Sequence, residues 1–135
     1  MQLVALPPVN LLAVVVAAVV AFVIGGAYWA VFTPVFLRRL GRPAEEARPT
    51  PVQLSIAFVT RVVVAYFLAV FALWAAVRGF GGGAEIGFLA WLGLLVPPLL
   101  GQAAFERKPW QVVAIGLPES LAVYVVTGAI VGAWR

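Results

Sequence analysis

Three residue types that carry much of protein chemistry are missing from this 135-residue chain: it has no cysteine, no histidine and no aspartate. Without cysteine there is neither a disulfide nor a thiol nucleophile, and the usual Cys/His zinc site cannot be built. Haem ligation by His, Cys or Met is excluded apart from the initiator, because Met1 is the only methionine. A Ser–His or Cys–His catalytic pair cannot be assembled. The single lysine, Lys108, falls in an expected loop, which argues against a Schiff base inside a helix bundle. No metal site, no cofactor and no enzymatic activity are expected, since a lone glutamate without His or metal is a weak basis for catalysis.

Charge is scarce as well. Only 10% of residues are charged and 64% are hydrophobic, whereas a soluble domain is about a quarter charged. The mean hydropathy is +1.09. Four apolar stretches, 9–33, 51–77, 85–105 and 109–134, are each long enough for the roughly 20 helical residues that cross a bilayer core. The expected fold is all-α, a polytopic integral membrane four-helix bundle forming a single transmembrane domain over 1–135. The first span lacks a basic leader and is longer than the apolar part of a signal peptide. The spans also alternate too little for the strands of an outer-membrane barrel.

The positive charges are distributed unevenly. Arg38, Arg39, Arg42 and Arg48 fall in the first loop, and Arg107 and Lys108 in the third, against only Arg78 and Arg135 at the other end. The positive-inside rule then puts loops 34–50 and 106–108 in the cytoplasm and both termini on the outer face. The isoelectric point near 10.4 reads as this bias in a bacterial inner (cytoplasmic) membrane protein. Nucleic acid is not an expected partner, because Glu45 and Glu46 dilute "RRLGRPAEEAR" and no aromatic residues interleave it. Membrane lipids and other membrane subunits are.

Several short signals mark boundaries and packing. Thr50, Pro51 and Gln53 form a capping box with proline at the first helical position. Pro109 suits the first turn of the last helix. Arg78-Gly79 and Gly81-Gly82-Gly83 read as the end of the second helix and a short hairpin loop. Glu85 would then favour the start of the third helix. Tyr28, Trp29, Phe32, Trp74, Phe80, Phe105, Trp110 and Trp134 fall near expected interfaces, like belt residues. Ala13, Ala17, Ala21 and Gly25 give the first helix a smooth face, and Gly128 and Gly132 form a GxxxG on the last. Small residues at this spacing let helices approach closely in lipid.

The most informative feature is polar. Arg61 stands ten residues after Pro51, and Glu119 ten after Pro109. Both helices start at the same face, so each charge lies about 15 Å from its helix start. Alone, each would cost about 3 kcal/mol at that depth; facing one another, they could pair with bidentate geometry. Proline breaks at Pro97-Pro98 and Pro118 fall at a similar level and free carbonyls near Gly93, Leu94 and Ala114. Thr60, Gln102 and Ser120 add polar groups to a supporting pocket. Three readings are open: Arg61 snorkels to headgroups, the pair only pins two helices, or it holds an anionic headgroup, a small solute or a proton. Glu106 reads as a solvated loop charge.

The opening "VNLLAVVVAAVVAFVIGGAYWAVF" and the closing "FERKPWQVVAIGLPESLAVYVVTGAIVGAW" resemble a bacterial four-span membrane family known as domain-of-unknown-function family 1761. The resemblance is carried by Asn10, Leu12 and Ala13, by Gly25, Gly26, Tyr28 and Trp29, by Phe105 to Pro109, and by Gly128 to Trp134. It implies the fold and topology and no activity. Where that family commonly has Asn, Tyr and His in its fourth helix, this chain reads "GLPES".

The expected role is a structural or accessory membrane subunit that forms a homo-oligomer or joins other subunits. The alternative is a small transporter or channel-like protein with its site at Arg61 and Glu119.

Overall fold

In the computed structural model, which describes residues 5–43, 45 and 48–134, the chain is all-α. Helix α1 spans Leu11–Leu40 and α2 spans Pro51–Trp74. A third span comprises α3 (Gly79–Ala90), a π-helical turn (Trp91–Leu95) and α4 (Val96–Phe105); α5 (Trp110–Ala133) is the fourth. All four are long and apolar enough to cross a membrane. The start of α1, the end of α5 and the turn at Ala75–Arg78 share one face of the bundle, here the terminal face. The end of α1, the start of α2 and the connection at 106–109 share the other, the loop face. Met1, Glu46 and Arg135 lie outside the described residues.

The helix limits differ from the sequence expectation in two places, each for a definite reason. Pro34 does not end α1, which continues through it to Leu40. The stop comes at Gly41, in the left-handed region at φ 70°. Its N–H donates to Arg38 O, and that of Arg42 to Leu37 O, a Schellman closure that favours glycine. The helix therefore takes up part of the expected loop 34–50. The second correction concerns Gly81, Gly82 and Gly83, which lie within α3 and not in a hairpin loop. The turn is shorter, with Ala76 at φ 55° and Gly79 at φ 87°. Exposed Glu85 consequently lies in the second turn of α3, away from its start.

Caps account for the remaining ends. Thr50 Oγ1 accepts from Gln53 N–H, and Thr50 N–H donates to the Gln53 side chain, completing the capping box of α2. Asn10 caps α1 by accepting from the backbone of Leu12 and Ala13. Its amide nitrogen lies 3.5 Å from Trp134 O, linking the two ends of the chain. Pro109 occupies the N-cap of α5, one position before its first turn.

Helix α5 is the centre of the bundle and packs on α1, α2 and α3. It is apolar over most of its surface, as a helix able to cross a membrane is. Its contact with α3 is closest, because glycine faces glycine. A Cβ on Gly83 would sit 2.1 Å from Gly128 O, and one on Gly87 2.1 Å from Tyr124 O. A Cβ on Gly132 would sit 2.6 Å from the Cα of Gly83. Ala13, Ala17, Ala21 and Gly25 are all buried along α1. Such backbone-to-backbone packing supplies dispersion contacts where lipid leaves little hydrophobic drive between helices.

The glycine contact gives a direct check. Gly128→Ala is expected to destabilise the bundle by about 1–3 kcal/mol, since its Cβ would lie 2.2 Å from Gly83 O. Gly116→Ala on the same helix meets nothing within 4 Å and should be neutral or slightly stabilising. Reversible unfolding in mixed micelles measures both; equal effects would mean that α3 and α5 do not meet through this face.

Candidate functional site

Helices α2 and α5 run in the same direction, and the equal residue counts from their starts put Arg61 and Glu119 level. The two side chains meet, Arg61 Nη2 lying 2.7 Å from Glu119 Oε1. The geometry is a single hydrogen bond and not the bidentate fork. Glu119 is 6% exposed, whereas the Arg61 side chain is 24% exposed. The carboxylate is thus the inner partner and the guanidinium the outer one.

Helix α1 closes over the pair at Gly25. A Cβ there would stand 2.7 Å from Arg61 Nη2 and 2.9 Å from Glu119 Oε1. Gly25 is therefore more than a packing residue, because its missing side chain makes room for the ion pair. One turn further along, the Trp29 side chain lies near the carboxylate. Tyr28 O–H donates to Ile115 O, close to the gap left by Pro118, which has no N–H for the carbonyl of Ala114. Tyr28 and Trp29 are half-buried within α1, beside the ion pair. Trp74, Phe80, Phe105, Trp110 and Trp134 remain exposed, with Phe105 at 93%.

The polar groups expected to support the pair are dispersed. Thr60 is exposed and its hydroxyl donates to Ala57 O within α2. Gln102 donates to Glu106 Oε1 at the loop face. Ser120 accepts from Trp91 Nε1 and donates to Leu117 O, joining α5 to the π-helical turn. Pro97 and Pro98 are exposed, and the third span continues through them. The preceding π-helical turn widens the helix where the proline rings would crowd the carbonyls of Gly93 and Leu94. Among the described residues the guanidinium's acceptor is Glu119 and not a freed carbonyl.

A guanidinium has five N–H donors. Arg61 makes one described hydrogen bond, and its buried Nε has no partner. Arg61 also lines a groove of about 620 Å³ between α1 and α2. Phe22, Gly26, Ala30, Leu54 and Ala57 make its walls largely apolar, and Arg48 and Gln53 stand at its loop-face end. It shares Trp29, Thr33, Arg48 and Gln53 with a more open hollow at that face, lined also by Arg42 and Glu45. The groove is invisible in the sequence because it exists only where α1 and the first turns of α2 diverge.

Glu106 is an exposed loop charge, as expected, and it is paired. Its carboxylate lies 3.0 Å from Lys108 Nζ and accepts from Gln102 at 3.0 Å. The Lys108 hydrogen bond, followed by that of Gln102, holds its carboxyl below the usual carboxylate range. The cluster braces the turn in which Arg107 takes φ 54°.

Residues 12–132, nearly the whole bundle with Arg61 and Glu119 inside it, match the family described as Protein of unknown function (DUF1761). The chain belongs to the DUF1761 family. No curated protein and no solved structure matches it. The four apolar helices make this DUF1761 member a multi-span membrane protein.

The ion pair can be tested within this framework. Arg61→Ala and Glu119→Ala should each destabilise the fold, and the double variant should recover part of the loss. A coupling of about 0.5–3 kcal/mol is expected from a double-mutant cycle on unfolding free energies. Strict additivity would mean that the two side chains contribute independently.

Proposed function

We propose that the protein is a small membrane-embedded binding protein of transporter-like design, whose ligand reaches Arg61 through the α1–α2 groove. One observation carries this reading: a groove of about 620 Å³ is lined by Arg61, whose guanidinium makes one described hydrogen bond. A volume of this size is within the range of small-molecule sites, which are mostly apolar with a few placed polar groups. The charged residue at mid-helix depth then has a use beyond joining α2 to α5.

The excess of Lys and Arg assigns the loop face to the cytoplasm, with both termini outside, in a bacterial inner membrane. The groove accordingly opens towards the cytoplasm. No catalytic role is proposed for any residue.

A second reading, an accessory or homo-oligomeric subunit, is favoured by α4. It touches only α5 and its own π-helical turn among the described elements, and its span buries the smallest share of its length. That open flank could receive another subunit, and four spans usually need a second copy to enclose a pathway. Both readings are compatible in a dimer that keeps the groove open.

The natural absence of cysteine makes the test simple. In sealed vesicles, Ala57→Cys in the groove wall should react with a charged thiol reagent applied at the loop face, because thiolate forms only where water reaches. Val59→Cys, on an exposed apolar position of the same helix, should stay unreactive in lipid. Equal protection of both would mean that lipid seals the groove, and the binding reading would fail.

A further inference from the structure

The ion pair and the groove together constrain what can bind. Before binding, Arg61 and Glu119 sum to zero charge. The groove reaches Arg61 but not Glu119, which lies behind Gly25 and is 6% exposed. The exchangeable side of the pair is therefore the guanidinium, and its natural guest is an anion. An anion added alone would leave a net negative charge at mid-membrane depth, which lipid penalises. A neutral site is kept only if one proton arrives with it.

We infer that the groove takes an amphiphilic monoanion, an acid head group on a short apolar chain, and that each one bound is accompanied by one proton on Glu119. This rests on the binding reading above. The anion X⁻ pairs with Arg61 while a proton from the aqueous phase adds to Glu119, so Arg⁺·Glu⁻ becomes Arg⁺·X⁻ beside a neutral Glu–COOH. No bond other than the carboxyl O–H forms, and the net charge stays zero. The apolar walls at Phe22, Leu54 and Ala57 select for a chain on the guest. Arg48 at the groove's loop-face end attracts the head group as it enters.

The surroundings of Glu119 suit this exchange. Arg61 faces it from α2, and Tyr28 and Trp29 from α1. Tyr124 lies near Arg61 on α5 itself. The third span offers Trp91, held by Ser120, while its carboxylate Glu85 is exposed and six residues before Trp91. Among the described residues Arg61 is thus the charged partner of Glu119. When a guest takes the guanidinium, no other cation stands by to keep the carboxylate ionised.

Octanesulfonate is the probe, because it stays ionised and has no carbonyl band of its own. With the full chain in zwitterionic nanodiscs, empty discs being subtracted, binding should saturate with uptake of one proton per protein. Infrared difference spectra should gain a protonated-carboxyl band that Glu119→Gln abolishes. Glu119→Gln should also bind the probe more tightly and without proton uptake, since Arg61 is then unneutralised. Arg61→Gln should weaken binding by about tenfold or more. Saturable binding with neither proton uptake nor the carboxyl band would overturn the exchange. Equal binding of inorganic sulfate would overturn the amphiphile. The carboxyl band arising from anionic phospholipid discs alone would make the guest a bilayer lipid and overturn the short-chain assignment. A groove that labels with thiol reagent yet binds no sulfonate would sink this inference and leave the binding reading standing.

Discussion

A guanidinium ten residues into an apolar helix must find a negative charge or reach the membrane surface, and the bundle is organised around the first solution. Arg61 on α2 finds Glu119 on α5 at 2.7 Å. The contact needs the two helices parallel, level and adjacent, with α1 close enough to cover them. Gly25 meets the last condition, since any side chain there would occupy the space of the ion pair. One interaction thus restrains three of the four spans, and it uses a residue on each.

The fourth relation, between the third span and α5, has a different origin. Gly83 and Gly87 meet Gly128, Gly132 and the backbone near Tyr124. This contact has no charge and little side-chain interlock, so its strength lies in the number of atoms brought to contact distance. Closer to the loop face the span turns away from such packing. The π-helical turn absorbs the two prolines, Trp91 is tied to Ser120, and α4 keeps only α5 as a neighbour outside its own span. The bundle is tight towards its termini and looser towards its loops, where the α1–α2 groove opens.

Much of this was legible in the residues and some was not. Composition and run length showed four apolar helices, and Thr50-Pro51 and Pro109 marked two starts to within a residue. The expectation of a span ending near Thr33, with Arg38 and Arg39 in the loop, missed the stop at Gly41, although a basic last turn precedes that glycine. Pro34 was the competing signal, and it did not prevail because a proline removes one hydrogen bond without forcing a long apolar helix to stop. The triple glycine misled for a related reason: in water it reads as a loop, whereas in this bundle the run is helical and Gly83 lets α3 approach the backbone of α5. Thr60 and Ser120 lie next to the paired residues in sequence but bond elsewhere, and Gln102 lies nearer the loop face, since counting from a helix start gives depth and not direction around the axis.

The sequence by itself determined that the chain is a set of membrane helices, and that Arg61 and Glu119 occupy one depth on parallel spans, because both follow from hydropathy and a fixed rise per residue. Only the tertiary structure decided that Gly25 shelters the pair, that Tyr28 and Trp29 lie beside it, and that Arg61 lines a groove between α1 and α2. Those facts depend on how helices turn about their axes and where they part. That rotation is set by the sum of many close contacts among helices distant in sequence, and no single stretch of residues encodes it.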